Sequence, residues 1–171
     1  MATLSQEDVA PLISIVCPQL PFEHLNPNVK TMWAYAMPAV KVQGIIQDDQ
    51  SIIVARMKIP TPKGYSFIIR RLDTDAISLT TMFRAAFPTA DNDAEKGESA
   101  WVKAKYEVSG LNDGSGGKAC FAGTWVSLTV AEELAVSYSF NHILTPFTQA
   151  RPEGTLSEWH QVFSRTFDQG V

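Results

Sequence analysis

Four basic side chains suggest the clearest chemistry in the sequence, which is contact with phosphate groups. They are Arg84, Lys103, Lys105 and Lys118. Lysine and arginine neutralise nucleic-acid phosphates without reading base sequence, and such contacts weaken as salt rises. Taken singly, each of the four is better explained as a solvated surface charge. Only the fold expected below would bring them together, so the prediction is a weak DNA-binding surface.

The distribution of charge is compatible with such a surface but does not demand one. The chain of 171 residues has a formal net charge of −4. Residues 51–118 contain ten Lys and Arg against eight Asp and Glu, whereas the regions before and after each contain two against five. Because nucleic-acid-binding domains usually carry a stronger basic patch, the charge favours weak, nonspecific contact.

Catalytic and metal-binding patterns are missing from the sequence. His24, His142 and His160 are isolated, with no second histidine or cysteine at metal-ligand spacing. The glycines of residues 114–117 lack the lysine and the strand-to-helix context of a phosphate-binding loop. We therefore expect a non-enzymatic protein with no metal, no cofactor and no small-molecule substrate.

The composition favours one globular domain, and the strands and helices predicted below make it α+β. Apolar residues make up 45% and charged residues 19%, and no apolar run approaches the roughly 20 residues that span a bilayer. Cys17 and Cys120 are expected to be buried, reduced thiols. We predict an N-terminal extension at 1–48 packed on a domain at 49–150, followed by an amphipathic helix at 151–171.

The region after residue 50 predicts a β-hairpin. Residues 51–59 and 65–73 are rich in β-branched residues, and the turn at 60–64 contains proline and glycine. Arg70 and Arg71 are adjacent and must face opposite sides of their strand. We expect one to lie over the covered face with its head reaching solvent, and the other to be exposed.

Two helices are predicted next. Ser78 caps the first, which runs through Phe87 and is ended by Pro88. The second runs over residues 93–106. Helical spacing on the first helix predicts one inward face, formed by Leu79, Met82, Phe83 and Ala86. Trp101 and Trp125 are also expected in the core.

A glycine-rich hairpin and further helices complete the prediction. Residues 111–117 are expected to form the hairpin tip and 118–128 its return strand. A capping box at Thr129 and Glu132 predicts a helix to about Tyr138. The later predictions are a short helical turn cut by Pro146 and a capped amphipathic helix at 155–167.

Two stretches resemble the APSES-type DNA-binding domain of fungi, a relative of the KilA-N domain. They are ISLTTMFRAAFP at 77–88 and FAGTWVSLTVAEELAVSYSFNHILTPF at 121–147. The resemblance covers about residues 50–150 and implies a winged helix-turn-helix in which a β-hairpin sheet packs with several short helices. The positions that carry it are Ile77, Thr80 or Thr81, Gly123, Thr124, Trp125, Val126, Ala131, Glu133, Leu134, Ala135 and Tyr138.

Within that family, the segment MFRAAFP at 82–88, followed by acidic residues and Trp101, is similar to the bouquet-formation branch. This resemblance implies a nuclear module at or near the inner nuclear membrane that ties telomeres or chromatin to nuclear-envelope proteins. Its partners would be double-stranded DNA, bound weakly and nonspecifically, and a peptide of a telomeric or envelope protein. Attachment to the membrane is expected only through a segment outside this chain.

Acidic residues at the start of the second predicted helix argue against base reading. Asp91, Asp93, Glu95 and Glu98 would repel a phosphate backbone where a recognition helix usually contacts bases. Three hypotheses therefore remain open. The chain is a chromatin-linking module, a sequence-specific APSES transcription factor, or a protein-interaction domain that has lost DNA binding.

Overall fold

The computed structural model describes residues 16–29, 31, 38–47, 49–112 and 120–150. These residues form an α+β domain with one five-stranded antiparallel sheet and four α-helices. The strands are β1 Val40–Gln47, β2 Gln50–Thr61, β3 Gly64–Arg71, β4 Ala76–Ser78 and β5 Trp125–Ser127. The helices are α1 Leu79–Ala86, α2 Asn92–Lys105, α3 Leu128–Ser137 and α4 Asn141–Gln149.

The sheet follows chain order, from β1 at one edge to β5 at the other. The predicted hairpin of β2 and β3 is confirmed, and its register ends at Thr61 opposite Gly64. The strand β1 pairs with β2 from Val40 opposite Met57 to Gln47 opposite Gln50. The sheet therefore begins at residue 40, inside the region predicted as an N-terminal extension.

Helix α1 packs on the sheet as predicted. Its N-cap is Ser78, whose side-chain oxygen accepts a hydrogen bond from the Thr81 amide at 3.1 Å. The predicted inward residues are all buried, and Phe83 meets Phe87 and Tyr138 with ring centroids 5.0 and 6.0 Å away. Trp125 is buried as predicted, whereas Trp101 is half-buried at the core's edge.

The glycine-rich hairpin was predicted with the wrong pairing. The return strand is only β5, and β5 pairs with β4, with Ile77 opposite Val126. Residues 106–112 and 120–124 contain no strand, and 113–119, with Lys118, lie outside the described residues. Instead of a strand ladder, the Asn112 side chain bonds both the carbonyl and the amide of Phe121, at 2.7 and 2.9 Å.

Two helix boundaries also differ from the prediction. The N-cap of α3 is Ser127, which accepts from the Val130 amide at 3.2 Å, so β5 passes directly into the helix without using Thr129. Helix α4 continues through Pro146 rather than ending there. Proline in a helix interior costs about 3 kcal/mol. Burial of the apolar side chains around exposed Pro146 offsets that cost.

The predictions for the paired arginines and for the cysteines need correction. Arg70 and Arg71 are both buried, at 3% and 1% exposure, because each guanidinium finds acceptors inside the fold. Cys17 and Cys120 are both exposed rather than buried, since each lies in irregular chain away from the core. The predicted amphipathic helix at 151–171, with its capped part at 155–167, lies outside the described residues.

Candidate nucleic-acid interface

A cleft of about 570 Å³ opens between α1, α2 and the segment before β5. We call it the α1–α2 cleft. Hydroxyl groups and cations dominate its walls, a composition suited to phosphate oxygens. Its lining residues are Ser78, Thr80, Thr81, Arg84, Glu95, Lys96, Ser99, Ala100, Lys103, Ala122, Gly123 and Thr124.

Arg84 lies in this cleft and points outward, as predicted, but it has an internal partner. Its Nε and Nη2 atoms donate to the two carboxylate oxygens of Glu95 at 2.7 and 2.9 Å. That hydrogen bonding raises the pKa of Arg84. Because the Arg84 side chain is 59% exposed, a phosphate can reach the guanidinium but must compete with Glu95 for it.

Lys103 also lines the cleft, together with a lysine that the sequence reasoning missed. Lys96 lies seven residues earlier on α2, so both project from one face of the helix. Both are exposed. The signal was available in the sequence, since Lys96, Ser99, Ala100 and Lys103 follow helical spacing.

The structure does not bring the other two predicted residues to the cleft. The Lys105 Nζ atom lies 4.8 Å from the Trp101 ring centroid and 5.2 Å from that of Tyr106. Lys105 is absent from the lining of the cleft, because two positions along a helix rotate a side chain to another face. Lys118 lies outside the described residues.

The Gly-Thr-Trp motif joins α1 to the edge of the sheet. The Thr124 amide donates to Thr80 Oγ1 at 3.1 Å, and the Leu79 amide donates to the Thr124 carbonyl at 2.8 Å. Gly123 has φ +92°, and a Cβ there would lie 2.6 Å from Thr80 Oγ1. These motif residues therefore build the cleft wall by close packing.

The acidic residues of α2 do not form one repulsive surface. The Asp91 side chain caps the helix by accepting from the Ala94 amide at 2.8 Å, and Glu95 is held by Arg84. Glu98 is buried, at 3% exposure, where it accepts a hydrogen bond from the Tyr138 hydroxyl at 2.7 Å. The expectation of four carboxylates facing a ligand is therefore corrected for Glu98, which faces the core.

Burial of Glu98 makes part of the stability depend on pH. Burial raises the pKa of Glu98, and the Tyr138 hydrogen bond opposes that rise. Because the folded-state pKa lies above the unfolded one, stability is lost as pH rises through the folded pKa. We expect the stability of Glu98→Gln relative to wild type to increase as pH rises above about 4, the ordinary pKa of a glutamate. Urea unfolding at several pH values measures this, and a constant difference would contradict it.

The described part of the chain contains neither a metal-ligand cluster nor a helix that could span a membrane. No group of His, Cys, Asp and Glu among its residues could hold a metal ion. The His24 ring bonds the Thr89 hydroxyl, and the His142 ring contacts the Val29 carbonyl. None of the helices in this part of the chain is long and apolar enough to cross a membrane.

Together these features define an α+β domain with a mildly basic, hydroxyl-lined cleft beside its antiparallel sheet. No protein-family model matches the chain. Over 121 residues, 70% of this chain, it is 31% identical to bouquet formation protein 4 of Schizosaccharomyces pombe. The match covers 26% of that protein, so the chain spans about a quarter of its relative's length.

The fold is similar to that of the same relative's N-terminal domain. The crystal structure of the N-terminal domain of Bqt4 in S. pombe matches with a TM-score of 0.60 and 27% identity. The match covers 75% of this chain and 96% of that domain. Sequence and structure therefore confirm the resemblance to the bouquet-formation type. The APSES-type winged helix-turn-helix stays a prediction.

Proposed function

We propose that this domain is a non-enzymatic nuclear module that links telomeres or chromatin to proteins of the nuclear envelope. The observation that carries the proposal is the similarity to the N-terminal domain of bouquet formation protein 4 in both sequence and fold. The domain would work at the inner nuclear membrane. Any membrane attachment would come from a segment beyond the described residues.

The first half of the proposed function is weak, nonspecific binding of double-stranded DNA in the α1–α2 cleft. Arg84, Lys96 and Lys103 supply positive charge there, and threonine hydroxyls supply phosphate donors. The pairing of Arg84 with Glu95 reduces the charge available to DNA. We further propose that α1 and α2 correspond to the helix-turn-helix of an APSES-type domain.

The second half is recognition of a short peptide from a telomeric or envelope protein. A module that links two structures needs a partner surface besides its DNA surface. A pull-down from nuclear extract tests this half, and failure to retain any telomeric or envelope protein would contradict it.

Reversing charge in the cleft tests the DNA half. We expect Lys96→Glu/Lys103→Glu to weaken duplex binding at least about tenfold at about 50 mM salt, because two phosphate contacts become repulsive. Fluorescence anisotropy of a labelled duplex measures the affinity. Lys63→Glu makes one such charge reversal, half of the total change, in the β2–β3 turn away from the cleft and should have little effect. Wild-type protein that fails to bind at this salt would refute the DNA half.

One observation favours a second candidate, a protein-interaction domain without DNA binding. Arg84 is already neutralised by Glu95. Selection from a random duplex pool separates the candidates. The linking module predicts binding without enrichment of a motif, whereas a sequence-specific transcription factor predicts one enriched motif. The pure interaction domain predicts no recovery of DNA.

A further inference from the structure

A basic pocket lies on the face of the sheet that turns away from the helices. Ala55, Met57 and Ile68 face the helical layer and belong to the main core. Side chains alternate along a strand, so Arg56 and Phe67 point to the opposite face. There they line a pocket of about 380 Å³, which we call the outer-face pocket. Its lining is Pro38, Ala39, Lys41, Arg56, Lys58 and Phe67.

The register of the strands brings the three cations of this pocket close together. Lys41 on β1 is directly opposite Arg56 on β2, and Lys58 follows two residues later on the same face. Like charges directly opposite each other in a sheet are destabilising. Among the described residues, none of the three forms a salt bridge, and no carboxylate lines the pocket. Within the described part of the chain, the charge of the pocket therefore has no paired carboxylate.

Aromatic rings hold two of these three cations in place. The Arg56 guanidinium carbon lies 4.8 Å from the Phe67 ring centroid, and Lys58 Nζ lies 4.0 Å from that of Tyr65. Arg56 Nε is buried and has no hydrogen-bond partner in the described part of the chain. An arginine fixed on a ring loses little conformational freedom when it binds a carboxylate, so the pocket is preorganised for an anion.

We propose that the outer-face pocket binds an extended acidic peptide of the partner protein. Aspartate or glutamate side chains would pair with Lys41, Arg56 and Lys58, and an apolar side chain between them would pack on Phe67. This inference rests on the proposed partner-peptide function and gives that peptide its chemistry. The pocket combines cations with apolar and aromatic walls, and a peptide offers both matching groups, whereas a duplex backbone offers only the charge.

The location of the pocket also suits a linking module. The α1–α2 cleft lies in the helical layer, whereas Lys41, Arg56 and Lys58 lie on the sheet face away from that layer. A peptide on the sheet and a duplex against the helices would not compete for the same atoms. Both ligands can therefore be held at once.

The test uses a fluorescein-labelled peptide of alternating glutamate and leucine, with a glutamine version as the uncharged probe. Wild-type protein should bind the glutamate peptide, and Lys41→Glu/Lys58→Glu should bind at least about tenfold more weakly. Lys63→Glu makes one such charge reversal, half of the total change, outside the pocket and should bind like wild type. Duplex DNA binding should be unchanged in the double variant. Urea unfolding verifies that each variant is folded.

Other outcomes separate this proposal from the proposed function. No binding of the glutamate peptide by wild type, or equal binding of both peptides, would overturn the outer-face pocket and leave DNA binding standing. Loss of duplex binding in the double variant would assign the surface to nucleic acid. If that variant still retained telomeric or envelope proteins from nuclear extract, the partner site would lie elsewhere while the linking function survived.

Discussion

Replacing Arg70 with methionine is expected to lower the free energy of unfolding by about 3 kcal/mol. Arg70 is buried beneath the helices, and its Nη1 atom donates to three carbonyl oxygens at the end of α4. Those carbonyls belong to Phe147, Thr148 and Ala150, at 3.2, 3.1 and 3.0 Å. The negative end of the helix dipole also stabilises a positive charge at this position.

The remaining contacts of Arg70 explain why the expected loss is not larger. Its Nη2 atom pairs with Asp75 at 2.9 Å, but the Asp75 side chain is 62% exposed and can be solvated when the pair is lost. Arg70 Nε is buried and unpaired within the described residues, a cost that methionine avoids. Methionine keeps most of the apolar stem, so the substitution mainly removes the charged donors.

Urea unfolding measures the effect of Arg70→Met, with Arg84→Met as the control. Arg84 also pairs with a carboxylate, but its side chain is 59% exposed. Exposed pairs contribute about 0–1 kcal/mol, so the control should lose much less. Equal losses in the two variants would show that the contacts of Arg70 with α4 contribute little.

Replacing Gly123 with alanine is expected to cost about 2 kcal/mol. The left-handed backbone at φ +92° destabilises alanine by roughly 1 kcal/mol. In addition, the alanine Cβ would lie 2.6 Å from Thr80 Oγ1, which is a steric overlap. Relieving that overlap requires the Thr80 side chain to rotate or α1 to move away from the segment before β5. The Thr124 amide would then lose its bond to Thr80 Oγ1, which measures 3.1 Å.

Two other glycines separate the backbone effect from the packing effect. Gly110 has φ +76° and open space where a Cβ would lie, so Gly110→Ala should be destabilised only by backbone strain. Gly97 lies in α2 with open space, so Gly97→Ala should stabilise the protein by about 0.5–1 kcal/mol. Thermal unfolding ranks the three variants. If Gly123→Ala cost no more than Gly110→Ala, close packing on Thr80 would be excluded.

Much of the sheet and the first two helices could be predicted because local chemistry determines them. The turn at 60–64 and the β-branched runs beside it set the hairpin, and Ser78 with Pro88 bounds α1. The strand β1 has the partly alternating sequence VKVQGIIQ. The five prolines in the first 38 residues instead favoured an irregular N-terminal extension. That strand was missed although its signal was present.

Other features depend on contacts far apart in the chain. A strand's partner cannot be read from its own residues, and β5 pairs with β4 rather than with residues before the glycine-rich segment. The acceptors that bury Arg70 lie on α4, 77–80 residues away. No local sequence pattern predicts acceptors so distant in the chain. Arg70 was therefore expected to reach solvent or to be exposed.

The candidate site was predictable in part. Helical spacing placed Arg84 outward, and the structure brings it to one cleft with Lys103. Lys105 was assigned to that surface because the expected fold would bring it near Arg84 and Lys103, although its position on α2 turns it towards Trp101. Glu98 was expected among the exposed acids, and only the position of Tyr138 shows why it is buried.

The most direct test of the linking function is a domain exchange in S. pombe. Residues 1–171 of this chain would replace the N-terminal domain of bouquet formation protein 4 in cells with fluorescent chromosome ends. Cells lacking that domain give the reference for loss, and immunoblotting verifies the level of the chimera. Our proposal predicts that chromosome ends stay at the nuclear envelope as in unmodified cells. Chromosome ends that leave the envelope despite a normal level of chimera would contradict it.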